Sequence, residues 1–246
     1  MNIDFDRALE TVLREGDEWQ CWRALRLSGD SVPAIPVIPG QDGEGGFVGW
    51  DGGLSAGATG HALCLLVLLE LGASPPAVIA ADWLEAHRTP AQAWLEAPEG
   101  TPGEVVVPGG GRVWATASAA CALLAAGRDP GRRPLELLRG EADLQGGFTG
   151  GAYPTFAATG AFWIAEGPKT EMAEWGLRWS RESQEDWWGP WEWVTALTFW
   201  GAARVPGEHL SVELFLDELR NAAPDSGWGD DLELTLRTLE LIQLFE

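Results

Sequence analysis

Two acids stand side by side at Asp230-Asp231, and a third lies between two indoles in Trp191-Glu192-Trp193. A carboxyl group enclosed by apolar side chains loses the hydration of its charged form. Its pKa then rises, and it can keep a proton for delivery at neutral pH. An indole face beside it presents the negative lobe of its quadrupole, which stabilises a cation. Acid and aromatic faces, closed off from water, together suit the starting and guiding of a carbocation. On this reading Asp231, Asp230 and Glu192 are the candidate acids, and Trp114, Tyr153, Phe156, Trp188, Trp191, Trp193 and His61 are the candidate wall. Each also has a plainer reading. Acids such as Asp230 and Asp231 at a helix N-terminus cap free N–H groups and complement the helix dipole, Glu192 fits an exposed first-turn acid, His61 fits an interior histidine, and some indoles are explained by packing between repeats.

Composition narrows the partners. The chain has 246 residues and a formal charge of −21, which argues against nucleic acid, whose phosphates need clustered Lys and Arg. The same charge argues against docking on anionic lipid. Fifteen tryptophans accompany a single tyrosine, Tyr153, so the indoles build either a large aromatic core or an aromatic-walled cavity. Cys21, Cys64 and Cys121 are widely spaced with no CxxC pair, which excludes a thiolate zinc cage, and no metal or other cofactor is expected. The acidic N-terminus shows no signal peptide. The longest strongly apolar run, Leu63 to Leu69, is far short of the ~20 residues of a membrane span. A cytoplasmic protein is therefore expected, with its oligomeric state open. The basic stretch Arg128-Asp129-Pro130-Gly131-Arg132-Arg133 reads as a contact for a diphosphate or as a solvated turn.

Positioning these residues falls to a repeat. A polar-Gly-aromatic turn followed by an apolar helix occurs in Gln41-Asp42-Gly43-Glu44-Gly45-Gly46-Phe47, Gln145-Gly146-Gly147-Phe148, Gln184-Glu185-Asp186-Trp187-Trp188-Gly189 and Asp225-Ser226-Gly227-Trp228-Gly229. The later turns recur at roughly 40-residue intervals, a period typical of helical-hairpin arrays. Helices apolar nearly all round are predicted over 59–72, 114–126, 155–166, 191–203 and 230–245, with 17–28 as a more polar first member. Such helices are buried. Amphipathic helices are predicted over 4–15, 75–87, 133–140, 170–182 and 208–221. Alternation of the two kinds predicts an all-α fold: one domain over residues 1–246, an α/α toroid of about six hairpins with an inner and an outer layer. The Gly/Pro-rich segments at about 30–58 and 88–112 are too long for ordinary connections, and one of them is a candidate cover for a cavity mouth.

The turns and the helices after them resemble the QW repeats of the squalene cyclase and protein prenyltransferase β-subunit superfamily. Gly45-Gly46-Phe47 with Thr59-Gly60-His61, Gly146-Gly147-Phe148 with Thr155-Phe156, and Gly227-Trp228-Gly229-Asp230 carry the likeness. The resemblance implies a toroid that holds an isoprenoid or similar apolar ligand, with the inner-helix N-termini on one rim. The family's proton-donating Asp-x-Asp-Asp motif has its nearest counterpart in Trp228-Gly229-Asp230-Asp231, which keeps the last two acids. Its zinc ligands and its DDxxD motif have no counterpart. The expected function is a small terpene-cyclase-like enzyme performing acid-initiated cyclisation of an apolar isoprenoid. Two alternatives stand beside it: a prenyltransferase-like ring that needs a partner, and a non-catalytic lipid-binding or scaffold toroid.

Overall fold

The computed structural model describes residues 3–96, 107–184, 188–224 and 227–245. Among these the chain forms eleven helices and one short antiparallel ribbon, so it is all-α in class. The chain divides into two compact units.

The larger unit comprises Gly40–Asp186 and Thr198–Val205. It contains β1 (Phe47–Val48), β2 (Leu54–Ser55), α3 (Ala56–Leu68), α4 (Pro75–Ala86), α5 (Gly110–Ala125), α6 (Arg132–Glu141), α7 (Ala152–Glu166) and α8 (Glu171–Glu182). Helices α3, α5 and α7 are the buried ones, and glycine lets them approach closely. A Cβ at Gly60 of α3 would lie 2.5 Å from the Ser118 backbone of α5, and one at Gly160 of α7 would lie 2.8 Å from the Cys121 sulfur of α5. Helix α3 begins before the predicted start because the Ser55 hydroxyl caps it, accepting the Ala58 N–H at 2.9 Å. The ribbon, which pairs Phe47 with Ser55 and Val48 with Leu54, lies in the segment expected to be loop. Its two-residue strands are too short to carry a period-2 signal.

The smaller unit comprises Met1–Pro39, Trp187–Leu197 and Pro206–Glu246. It contains α1 (Phe5–Glu15), α2 (Glu18–Leu27), α10 (Leu210–Ala222) and α11 (Leu232–Phe245). The apolar stripe of α1, with Ala8, Leu9 and Val12, packs with Ala24 of α2 and with Leu236 and Leu239 of α11. Helix α9 (Pro190–Ala202) gives its first part to this unit and its last to the larger one.

The repeat is visible as one recurring joint. The N–H of the turn aromatic donates to a threonine hydroxyl one turn into the next helix, and that hydroxyl donates to the carbonyl four residues back. Phe47 donates to Thr59 at 2.8 Å and Thr59 to Ser55 at 2.6 Å. Phe148 donates to Thr155 at 3.0 Å and Thr155 to Gly151 at 2.7 Å. Trp228 donates to Thr235 at 2.8 Å and Thr235 to Asp231 at 3.0 Å. The Asp42 carboxylate gathers the N–H groups of Glu44, Gly45 and Gly46, and that of Asp143 gathers those of Gln145 and Gly147. Each Gly-Gly pair then lies against an outer helix. Gly46 faces the Trp83 indole of α4 and Gly147 the Trp179 indole of α8, where a Cβ would come within 2.7 and 2.6 Å of the ring. The Gln41 amide donates to the Pro76 carbonyl in the first turn of α4 at 2.9 Å. The turn expected around Trp187 lies partly outside the described residues.

Candidate functional site

The ten candidate residues fall into two groups, one in each unit. In the smaller unit the acids sit at helix starts. Asp231 accepts the Leu234 N–H at 2.9 Å with one carboxylate oxygen and the Trp191 indole N–H at 3.0 Å with the other. Glu192 folds back on the Gly189 N–H at 2.7 Å at the start of α9, and Asp230 is exposed. Trp188 is buried with its ring edge-on to Phe215, Trp191 is exposed, and Trp193 is half-buried. Asp231 thus performs the capping that its plainer reading assigned to it, whereas Glu192 is buried instead of exposed and caps the start of α9.

Glu233, two residues beyond, belongs to an ionic network. Arg23 of α2 is fully buried and grips Glu240 of α11 with two bonds of 2.8 and 2.6 Å. Its remaining terminal nitrogen holds both oxygens of Glu233 at 2.8 Å, and Arg237 adds a bond to Glu233 at 2.7 Å. Burial pushes the Glu233 carboxyl up, but the charges and hydrogen bonds of Arg23 and Arg237 outweigh it and hold the group below the usual carboxylate range. This network joins α2 to α11 and leaves Glu233 no proton to give.

In the larger unit the other candidates do come together. Tyr153 and Phe199 both stand edge-on to the Trp114 ring at 6.0 Å between centroids, and His61 lies 5.2 Å from Phe199. Phe156 bridges Tyr153 and Trp200 at 6.4 and 5.8 Å. All except His61 are buried. The helices α3, α5 and α7 and the end of α9 each supply part of this aromatic group.

An acid that the sequence did not single out lies beside it. Glu96 accepts the N–H of Gly57 at 3.0 Å, at the capped start of α3, and a bond from the Ser55 hydroxyl. Its segment is fixed by Trp94, whose indole donates to the Leu84 carbonyl at 2.7 Å and whose backbone N–H donates to the Thr116 hydroxyl at 3.2 Å. Trp114 reaches the same residue from α5: a Cβ on Gly57 would lie 2.0 Å from its indole nitrogen. Burial raises the Glu96 carboxyl to about 7, against the hydrogen bonds from Ser55 and Gly57, and the negative charge of Asp51 adds to the rise. A carboxyl group so tuned is half protonated at neutral pH, the state a general acid needs. Its sequence context, the apolar pair Trp94-Leu95 before an acid inside a Gly/Pro-rich stretch, gave no hint of Ser55 and Gly57.

The remaining features are chemically quieter. Arg128 in the basic turn bridges Asp82 and Glu85 of α4 at 2.6 and 3.0 Å, so its charge is already matched. A depression of about 520 Å³ in the smaller unit is lined by Glu208, Glu213, Asp217 and Arg220 around Leu216 and Phe245; its acidic rim is unsuited to an apolar molecule. Among the described residues no group of three or more His, Cys, Asp or Glu is placed to hold a metal ion. No described helix is long and apolar enough to cross a membrane. Compared with protein-family models, with curated proteins and with solved structures, the chain matches none.

Proposed function

We propose that this chain is a small, cytoplasmic, terpene-cyclase-like enzyme that starts carbocation chemistry on an apolar isoprenoid. Glu96 is its proton donor, and Trp114, Tyr153, Phe156 and His61 form the aromatic surround. The single observation carrying the proposal is the meeting of a carboxyl raised to about 7 with the Trp114 indole at Gly57. Burial supplies the proton-holding acid, and ring faces supply the stabilisation of positive charge. Closure of the hairpins into an α/α toroid, which the QW-like joints favour, is part of the same proposal. The isoprenoid class comes from that resemblance.

The test incubates the purified chain with squalene and with farnesol in D2O below pH 7, followed by mass spectrometry of the extracted products. Cyclic products, carrying deuterium where a double bond is protonated as in squalene, and their loss in Glu96→Gln with an unchanged circular dichroism spectrum, are expected. Absence of product from both probes overturns the enzymatic reading. A second reading, a non-catalytic scaffold or lipid-binding protein, draws on the capping roles of Asp231 and Glu192. An intact Glu96→Gln variant that retains full turnover removes Glu96 as donor.

A further inference from the structure

We propose that the ligand's head at this site is an uncharged hydroxyl, that of a prenyl alcohol and not of a diphosphate, held between the Trp114 indole N–H and the Glu96 carboxyl. The inference deepens the reading of Glu96 as a proton donor and rests on it. Trp114 is only 3% exposed, and its buried indole nitrogen has no hydrogen-bond partner among the described residues. A buried donor left unpaired costs about 1–3 kcal/mol, so native structures rarely keep one without a purpose. This donor ends against Gly57, the residue whose N–H is held by Glu96 at 3.0 Å. An orphan donor and a carboxyl thus converge at the start of one helix. A hydroxyl oxygen satisfies both, accepting the indole N–H and the carboxyl proton together.

The charge around Glu96 tells against a diphosphate. Recognition of a diphosphate calls for arginine, lysine or a metal ion to neutralise it. The ionised neighbour acting on Glu96 is another acid, Asp51. In the same unit Arg112 pairs with Glu141, Arg128 with Asp82 and Glu85, and Arg139 with Glu166, while Arg88 lies over the Trp94 ring at 5.0 Å. Two acids beside a dianionic or trianionic head would repel it.

The step balances without an added reagent. The Glu96 proton passes to the ligand hydroxyl, the C–O bond breaks and water leaves, giving an allylic cation. A double bond of the same chain attacks that cation and forms the ring bond. The Glu96 carboxylate then takes a proton from the carbon next to the new cation. The net change is prenyl alcohol to cyclic hydrocarbon plus water, with nothing oxidised or reduced.

The test is titration calorimetry of the full chain with three probes, farnesol, farnesene and farnesyl diphosphate. Farnesol is expected to bind about fivefold more tightly than farnesene, the worth of one neutral hydrogen bond, and at least about tenfold more tightly than the diphosphate. Trp114→Phe should remove the preference for farnesol, weakening farnesol about fivefold more than farnesene, which a purely structural role for the indole would not do. Diphosphate binding as tight as farnesol, or equal losses for farnesol and farnesene in Trp114→Phe, overturns the inference. Should that variant not fold, the ranking of the three probes on the natural chain decides alone. Farnesol binding that depends on Trp114 without turnover would keep the hydroxyl site and overturn the enzyme. Glu96-dependent conversion of squalene with no preference for farnesol would keep the enzyme and overturn the hydroxyl site.

Discussion

Arg23→Met removes the cation at the centre of the network that joins α2 to α11, and the structure sets the size of the loss. Arg23 has no exposed side-chain surface, and the Glu240 side chain has 4%. The bidentate contact at 2.8 and 2.6 Å supplies both of Glu240's bonds to Arg23, whereas Glu233 keeps Arg237. The variant therefore strands one buried carboxylate, a change that costs about 3–5 kcal/mol. Unfolding by urea should be followed in the near-ultraviolet circular dichroism of Trp19 and Trp22. Their rings stack at 5.5 Å, and the Arg23 guanidinium lies 5.5 Å from the Trp19 centroid. Two compact units need not unfold in one transition, so the transition that the variant shifts is the one to be read. Adding Glu240→Leu should recover most of the loss, since an apolar replacement of a buried pair is often neutral. A loss below about 1 kcal/mol at neutral pH, the value of an exposed ion pair, would refute the reasoning.

Glu96 predicts a stability slope of definite sign. Its folded pKa is raised from 4.5 to about 7, so its contribution is complete below pH 4.5 and is lost as pH rises through 7. Relative to the natural chain, Glu96→Gln should gain stability across that window by up to about 3 kcal/mol, measured by urea unfolding at several pH values; a pH-independent difference refutes the raised pKa. Thr155→Val removes the acceptor of the buried Phe148 N–H and should lower stability by about 1–3 kcal/mol, while Thr155→Ser, which keeps the hydroxyl, loses less than half of that in a thermal melt. Equal losses in the two variants would show that the joint at Phe148 is packing alone.

Hydrophobic periodicity carries the secondary structure of this chain almost unaided. Apolar residues nearly all round 114–126 and 155–166 required burial, and the structure encloses α5 and α7 accordingly. The i, i+3, i+4 stripe of Phe5, Ala8, Leu9 and Val12 required an amphipathic α1. Such patterns are local, so a window of a dozen residues holds the whole signal. The same holds for the turns, where Gly45 and Gly146 at φ of 105° and 97° need glycine and are marked by the glycines themselves.

Part of the tryptophan excess also proves to be structural in a way the turns alone did not reveal. Trp83 and Trp179, on the outer helices, lie over Gly46 and Gly147, so each of these joints uses an indole from a distant part of its unit.

What acids do was beyond the sequence. Asp231, Glu192 and Glu233 stand in similar first-turn contexts, yet two cap helices and the third completes an ion cluster with Arg23, 210 residues away. Glu96 looked like loop; its carboxyl is raised by burial and by the charge of Asp51, against hydrogen bonds from Ser55 and Gly57, the latter 39 residues earlier. A carboxyl's pKa is set by solvation and by charges within a few ångströms, quantities that exist only once distant segments have met. The sequence thus determined the helices, the turns and the aromatic stock of this protein. Tertiary structure decided which acid holds a proton and which indole stands beside it.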